Sequence, residues 1–257
     1  MTFVIFWFFK TEFSTTFVHT GIKGMDSHQE SRCENCIIKQ LNALKALDKT
    51  ELKKISDSKV TRHVKKGDAL FKEGEKLNGV YCVRNGVSKL SKISENGKNQ
   101  IVKIATKGEI LGQRSVVTEE KTNLSAVAIN DMEVCYIPKN HLINNINKNA
   151  QFTKAILLHV ANDLKFADNV IVNMAQKSVK QRVAETLRYI EKNFGTDNEG
   201  YIAMMLTRED ISNVVGTAKE ACIRTLADFK KNDWIATDKK RIKILDDVAL
   251  FRLVEGF

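Results

Sequence analysis

The alternation of apolar and polar positions divides this chain into a β-type half followed by a helical half. Between residues 60 and 138, short apolar runs of strand length alternate with glycines. The runs are residues 80–83, 87–93, 101–104, 125–129 and 134–137, and the glycines are Gly67, Gly74, Gly86, Gly97 and Gly108. Turn signals at this spacing predict an antiparallel barrel or jelly roll.

The next segment, residues 150–175, repeats its apolar positions at alternating steps of three and four, as a heptad seam does. The seam positions are Leu157, Val160, Leu164, Ala167, Ile171 and Met174. This pattern predicts a long helix that pairs with a second copy of the chain. A long helix packed only against its own β-domain is the alternative, although such a helix usually has a wider apolar stripe. Ser178 is expected to cap the helix that follows.

Two short helices joined by a tight turn are predicted between residues 207 and 232. Thr207 is suited to cap the first helix, and Gly216 supplies the backbone freedom that a sharp turn requires. Apolar positions are Ile211, Val214 and Val215 in the first helix and Cys222, Leu226 and Phe229 in the second, which begins near Ala218. The second helix then presents Lys219, Glu220, Ile223 and Arg224 on its outer side. This is the layout of a recognition helix.

That outer side carries side chains suited to reading base edges. An arginine donates two hydrogen bonds to guanine, and a glutamate accepts one from cytosine. Glu220 and Arg224 lie one helical turn apart, so they are expected to address one G·C pair or its neighbour, with Glu220 also orienting Arg224. The alternative is an ordinary exposed ion pair, which contributes only about 0.3–0.5 kcal/mol. The preceding helix and the glycine turn favour base reading.

A hairpin with a basic tip is predicted after the second helix. Residues 234–237 and 241–245 are short strand-type runs, and the tip between them carries Lys239, Lys240 and Arg241. Contacts from such a tip to phosphates would fix the register on a duplex without carrying sequence information. An exposed tip without a partner is the alternative.

Residues 206–245, with TREDISNVVG, KEACIRTLADFKKNDWI and the basic hairpin, resemble the winged helix-turn-helix of the CRP/FNR superfamily of bacterial transcription regulators. Upstream, GDALFKEGE, VYCVRNGVSKL and GEILG resemble the cyclic-nucleotide-binding β-roll of the same family. The resemblance spans nearly all of residues 31–250. It implies an α+β fold with an N-terminal antiparallel, jelly-roll-like β-roll, a long dimerisation helix and a C-terminal winged helix-turn-helix.

The resemblance also implies a function. We expect a homodimeric, cytoplasmic, sequence-specific transcription factor that responds to an effector or redox signal, with double-stranded DNA and RNA polymerase as partners. In the family's recognition helix a glutamate and an arginine four residues later read each half-site, and Glu220 and Arg224 occupy those positions. Lys219 stands where some members carry an arginine that reads one more base. The candidate DNA-binding residues are Thr217, Lys219, Glu220, Ile223, Arg224, Lys239 and Lys240.

Four segments are expected: a leader (1–30), a sensor β-roll (31–149), a dimerisation helix (150–176) and a DNA-binding domain (177–257).

The formal net charge of +10 suits a polyanionic partner. However, residues 177–257 hold 15 Lys/Arg against 13 Asp/Glu, so the position of the charges matters more than their sum. No apolar run approaches the roughly 20 residues of a membrane span, and no membrane partner is expected.

The first 24 residues differ from the rest because they contain six phenylalanines and a tryptophan. No lysine or arginine precedes the apolar run, as a secretory signal would require. We expect an over-extended start, with translation beginning at Met25 and the preceding tract disordered or absent. A membrane-associating leader is the alternative.

The effector pocket that the resemblance implies departs from the nucleotide-binding members. Those proteins carry a glutamate just after a glycine and, further on, an Arg-Ser pair whose arginine neutralises the cyclic phosphate. Here Gln113 follows Gly112, and Leu124 precedes Ser125. A leucine cannot pair with a phosphate, and a buried unpaired anion is costly. The sequence therefore predicts that cAMP is not the effector.

Cysteines give a second candidate site. Five cysteines in an apparently cytoplasmic chain argue against a disulfide framework. In the oxygen-sensing FNR branch, an N-terminal cysteine pair, a third cysteine six residues later and one distant cysteine hold a [4Fe-4S] cluster. Cys33, Cys36 and Cys135 match three of these positions, whereas the third position is Asn42. An amide oxygen is a poor ligand for soft iron.

Several interpretations of these thiols stay open: a three-cysteine iron–sulfur cluster with an unusual fourth ligand, zinc, a thiol–disulfide switch, or structural thiols without chemistry. Cys82 and Cys222 are predicted to lie on core faces and to serve packing.

Scattered histidines and the absence of catalytic motifs predict that the protein is not an enzyme. A small-molecule or metal/redox sensor whose C-terminal domain binds another protein is the alternative function.

Overall fold

The computed structural model describes residues 32–256, so the leader lies outside the described residues. Two short 3-10 helices, Ile37–Leu41 and Ala43–Ala46, precede helix α1 (Lys49–Ser58). The β-domain comprises β1 (Val60–Val64), β2 (Ala69–Phe71), β3 (Gly79–Asn85), β4 (Ser88–Ile93), β5 (Asn99–Ala105), β6 (Ile110–Leu111), α2 (Gln113–Thr118), β7 (Ser125–Ala128) and β8 (Met132–Pro138).

These strands form two antiparallel sheets of four strands, in the orders β1-β8-β3-β6 and β2-β7-β4-β5. Side chains of both sheets, including Tyr81, Val83, Leu90 and Val134, fill one core between them. Alternate positions of β3 and β8 point to the opposite side, where the N-terminal helices and α3 (Lys139–Lys148) cover them. The predicted jelly-roll-like β-roll is confirmed.

Helix α4 (Ala150–Gln176) begins against the β-domain with Phe152 and Ile156 buried. Further along, its predicted seam faces outward: Leu164 is 64% exposed and Ile171 is 66% exposed in the single chain. Met174 is an exception to the seam pattern. It lies beside Gly216 of its own chain, where an added Cβ would approach its sulfur to 2.9 Å.

The C-terminal part contains α5 (Val179–Phe194), α6 (Arg208–Val215), α7 (Lys219–Lys231), β9 (Ile235–Asp238), β10 (Arg241–Ile244) and α8 (Asp247–Glu255). Ser178 caps α5 in a capping box with Gln181, as predicted. Leu187, Ile211 and Phe229 are almost fully buried in a core that also includes Ile101 of the β-roll. The helical half is therefore packed onto the β-roll. No helix within residues 32–256 has the length and apolar character needed to cross a bilayer.

Candidate nucleic-acid interface and cysteine site

Local sequence determines the turn between α6 and α7. Thr207 accepts a hydrogen bond from the Asp210 backbone N–H at 3.0 Å, and the Asp210 side chain accepts one from the Thr207 N–H, so the two form a capping box. Gly216 ends α6 in the left-handed conformation with φ of 68°. The Thr217 N–H then donates to the Ser212 carbonyl, and α7 begins at Lys219. The predicted helix-turn-helix is confirmed.

The outer face of α7 is open. Cys222, Leu226 and Phe229 are buried, whereas the remaining predicted face is exposed. That face consists of Lys219, Glu220, Ile223 and Arg224, with Thr217 half-buried at its start. If α7 entered a DNA major groove, these side chains would face the base edges.

The expectation that Glu220 orients Arg224 is wrong for the free chain. Within residues 32–256 neither side chain forms an ion pair or hydrogen bond, so both are free to meet a ligand. Lys219 has one loose contact, 3.9 Å from its Nζ to Glu209 of α6. An exposed ion pair at i,i+4 spacing contributes little free energy in water. A polar ligand can therefore bind either side chain without breaking a strong interaction.

The wing is a two-stranded hairpin of β9 and β10, and Lys239 and Lys240 form its exposed tip. Arg241 does not take part in that tip. Its guanidinium donates to Asp197 at 2.7 Å and to Glu199 at 2.8 Å, and it lies 4.0 Å from the centre of the Tyr201 ring. The predicted phosphate contact from Arg241 is therefore replaced by a structural role within the domain.

The first helix of the pair is attached to the β-roll. Lys89 of β4 donates to the Asp210 carboxylate at 2.5 Å, and Gln100 of β5 donates to the Val214 carbonyl at 3.3 Å. Burial raises the pKa of Asp210, but the bonds from Lys89 and Thr207 outweigh burial, and the net shift is downward. The helix-turn-helix is thus held by contacts to the domain that carries the candidate sensor.

A cavity of about 370 Å³ lies between α4 and the β-roll. Gln113 and Leu124 both line it, at the positions where the resemblance places the phosphate-binding residues. Lys103, which also lines the cavity, bridges Glu109 and Asp163 at 2.8 Å each and so has its charge satisfied within the chain. Leu124 stands where the resemblance places the phosphate-pairing arginine, and the other cations of the lining are Arg114 and Lys92.

Four cysteines share the core on the outer side of the β1-β8-β3-β6 sheet. Cys33, Cys82 and Cys135 are buried there, and Cys36 packs against the same cluster at its edge. Cys82 and Cys135 are paired residues on β3 and β8. Cys82 is predicted to serve packing because it falls on a core face of its strand. Its proximity to the other thiols arises from strand pairing, which the spacing does not reveal.

Burial disfavours the thiolate form of Cys33 and Cys82. Burial raises the pKa of Cys33, and it raises the pKa of Cys82 to about 12, with the neighbouring cysteines adding to the shift. Within residues 32–256 no three His, Cys, Asp or Glu side chains stand close enough to hold one metal ion. Tetrahedral zinc needs its sulfurs about 4 Å apart, since each lies about 2.3 Å from the metal. The arrangement does not form such a site as it stands.

Two family models match the chain. The model described as "Cyclic nucleotide-binding domain" matches residues 61–149, and "Crp-like helix-turn-helix domain" matches residues 181–253. Together they cover more than half of the chain, and they coincide with the β-roll and with the domain that carries α6 and α7.

Curated relatives match over nearly the whole length. "Transcriptional activator protein Anr" of Pseudomonas protegens is 26% identical over 235 residues, covering 90% of this chain and 95% of that protein. "Fumarate and nitrate reduction regulatory protein" of Vibrio cholerae is 28% identical over 227 residues, covering 86% of this chain and 89% of that protein.

Solved structures share the fold. FixK2 from Bradyrhizobium japonicum superposes with a TM-score of 0.68 at 21% identity, covering 76% of this chain and 96% of that one. A CRP/FNR-family regulator from Thermus thermophilus gives a TM-score of 0.66 at 21% identity, covering 76% and 98%. With both domain types in the order of these regulators, the chain belongs to the CRP/FNR superfamily of bacterial transcription regulators.

Proposed function

We propose that the protein acts as a homodimer that binds a two-fold symmetric DNA site and reads it with Glu220 and Arg224. One observation carries the proposal most directly: both side chains are exposed and unpartnered within residues 32–256, on a recognition helix held by a capped helix and a glycine turn. Arg224 would donate to guanine, and Glu220 would accept from cytosine. Lys219, Ile223 and Thr217 flank this pair.

The wing would supply contacts of a different kind. Lys239 and Lys240 lie at an exposed hairpin tip, where they would bind phosphates and raise affinity for all sequences alike. The division of roles follows from position, because a hairpin tip beside a groove meets the backbone whereas the outer face of α7 meets the base edges.

Dimerisation would occur along α4. Leu157, Val160, Leu164 and Ile171 form an exposed apolar stripe that continues beyond the part of the helix packed on the β-roll. Exposed leucine and isoleucine at heptad spacing are stabilised when a second helix covers them. A two-fold pair would present two recognition helices to half-sites about one DNA turn apart. Bound there, the dimer would act on transcription through RNA polymerase in the cytoplasm.

The signal would enter through the cysteine core, where Cys33, Cys36 and Cys135 would hold an iron–sulfur cluster. The three thiols share one apolar core and are the soft donors that such clusters take, and the N-terminal segment would have to bring them closer together to hold one. When bound, the cluster supplies one-electron redox chemistry. The N-terminal segment that carries Cys33 and Cys36 packs on α4 through its second 3-10 helix, which connects this core to the proposed dimer interface.

A salt titration of duplex binding tests the DNA-binding function. The full chain should bind a duplex of random sequence with log K falling linearly with log salt, because each neutralised phosphate releases counterions. Lys240→Ala should reduce the slope by about 1. Absence of duplex binding at low salt would contradict the proposal and favour the alternative function, in which the C-terminal domain binds another protein.

A further inference from the structure

We propose that a small uncharged molecule, with a single ring and a hydroxyl group, binds between the β-roll and the helix-turn-helix. The site is a second cavity, of about 130 Å³, which we call the interdomain cavity. Strand β5 and helix α4 form one side of it, and helices α5 and α6 form the other. The class of ligand follows from the size of the cavity, from its walls and from the polar groups that remain unpaired in it.

The walls of the interdomain cavity are mainly apolar. Ile104 of β5, Phe166 and Met174 of α4 and Val214 of α6 all line it. A cavity of roughly 150 Å³ with comparable walls binds benzene, so the interdomain cavity has the size that one six-membered ring requires. Burial of such a ring against these side chains would supply most of the binding free energy.

The charged groups in the lining already have partners within the chain. Lys103 is held by two carboxylates, and Glu185 accepts a hydrogen bond from the Lys177 ammonium at 2.8 Å. Arg182 donates to the Val215 carbonyl at 2.9 Å and to the Lys177 carbonyl at 2.6 Å. An ionised ligand would therefore lose its hydration without gaining an unpaired counter-charge, which is costly. The ligand is expected to be uncharged.

Two hydroxyl groups on α5 are left for the ligand. Thr186 is only 8% exposed, Tyr189 is half-buried one turn further along, and both line the interdomain cavity. Within residues 32–256 neither hydroxyl forms a hydrogen bond. Burial raises the pKa of Tyr189, so its hydroxyl keeps its proton and can donate. Because buried polar groups are nearly always hydrogen-bonded, this pair marks the place of the ligand's own hydroxyl.

The position of the interdomain cavity gives the ligand a regulatory role. Gln100 of β5 donates to the Val214 carbonyl of α6 at 3.3 Å, so the two sides of the cavity are already in contact. A ligand that touches both sides binds well only while α6 lies on β5. It therefore stabilises that arrangement by the difference between its affinities for the docked and undocked states. The site would link a small molecule to the position of the helix-turn-helix.

Methyl NMR of the full chain, titrated with phenol as the probe, tests the site. Phenol should shift the methyl signals of Ile104, Met174 and Val214 in a saturable manner with one dissociation constant, because these residues line the interdomain cavity. The methyl signals of Leu90 and Leu111, which line only the larger cavity, should stay in place. Benzoate, a charged ring, should move neither set at the same concentration.

Two variants test the contacts. Thr186→Val combined with Tyr189→Phe should weaken phenol binding about two- to tenfold, because one net hydrogen bond is lost, and should leave the affinity for benzene unchanged. Val214→Phe should abolish phenol binding, since the new ring fills the interdomain cavity. Val172→Phe is the matched control, because Val172 is an exposed valine of α4 that lines neither cavity.

The outcomes decide the proposal without DNA, so they are independent of the proposed DNA-binding function. Shifts confined to the larger cavity, or no saturable shift at millimolar phenol, would overturn the site. Equal binding of benzoate and phenol would overturn the class of ligand. Should Val214→Phe fail to fold, the double variant decides: phenol affinity equal to that of wild type would contradict the role of the two hydroxyls.

Discussion

At the residue scale, the roles of Arg224 and Lys240 are separable by experiment. Arg224→Ala should weaken binding to the preferred site by about 1–3 kcal/mol and relax the base preference, because a bidentate contact to guanine is lost. Lys240→Ala should weaken preferred and random duplexes equally. Fluorescence anisotropy with both duplexes measures the two effects. Equal losses on both duplexes for both variants would show that Arg224 does not read bases.

Gly216 is the residue on which the turn depends. Gly216→Ala should lower the free energy of unfolding by more than the roughly 1–2 kcal/mol of left-handed strain, since the new Cβ would also press on Met174. Gly97→Ala is the matched control, because Gly97 has φ of 77° but nothing within 4 Å of an added Cβ. Urea denaturation compares the two variants, and a loss in Gly216→Ala no greater than in Gly97→Ala would contradict the packing argument.

Local signals predicted some residues well. Thr207, Gly216 and Ser178 act within four residues of their own position, so the sequence alone reveals their capping and turn roles. Arg241 and Cys82 depend on partners far away in the chain. Arg241 binds Asp197 and Glu199 instead of projecting from the wing tip, and strand pairing places Cys82 opposite Cys135. Sequence spacing alone predicts neither contact.

At the scale of elements, α4 carries two different faces on one helix. Phe152, Ile156 and Asp163 meet the β-roll, and the heptad stripe points away from it. The sequence predicted the stripe because heptad spacing is local information. The same spacing placed Met174 in the stripe, but Met174 packs against Gly216 of its own chain. Tertiary packing sets the position of the C-terminal domain beside the end of α4, and the spacing does not report it.

The stripe leads to a prediction about assembly. Leu164→Asp should shift the protein from dimer to monomer, since each copy loses a leucine contact worth about 1.5–3 kcal/mol and gains a charge in an apolar seam. Leu158→Asp is the control, because Leu158 is similarly exposed, at 56%, but lies outside the seam positions. Sedimentation analysis reports the state of each variant. A monomeric wild type, or a Leu164→Asp variant as dimeric as wild type, would contradict the seam.

At the scale of the whole molecule, the ion pair between Lys89 and Asp210 connects the β-roll to the helix-turn-helix. Lys89→Met leaves a buried carboxylate without its cation, so the free energy of unfolding at pH 7 should fall by about 1.5–3 kcal/mol. Lys92→Met is the control, since its pair with Glu73 is more exposed and its loss should change the free energy of unfolding much less.

This stabilisation has a defined pH dependence. The pKa of Asp210 is lowered in the folded chain, so the pair contributes above the ordinary aspartate pKa and is lost as pH falls through the lowered value. The difference between wild type and Lys89→Met should therefore persist at neutral pH and shrink only in acid, below about pH 4. Denaturant melts at several pH values check the trend, and a difference that vanishes near pH 6 would contradict it.

Sequence reading by a dimer can be measured by letting the full chain select binding sites from a pool of random duplexes. A dimer that reads G·C pairs with Glu220 and Arg224 should enrich a two-fold symmetric sequence with G·C pairs in each half and half-site centres about 10 base pairs apart. Arg224→Ala, selected in parallel, should lose the G·C preference. An unenriched pool, or an enriched sequence without symmetry that Arg224→Ala selects equally well, would contradict base reading by a dimer.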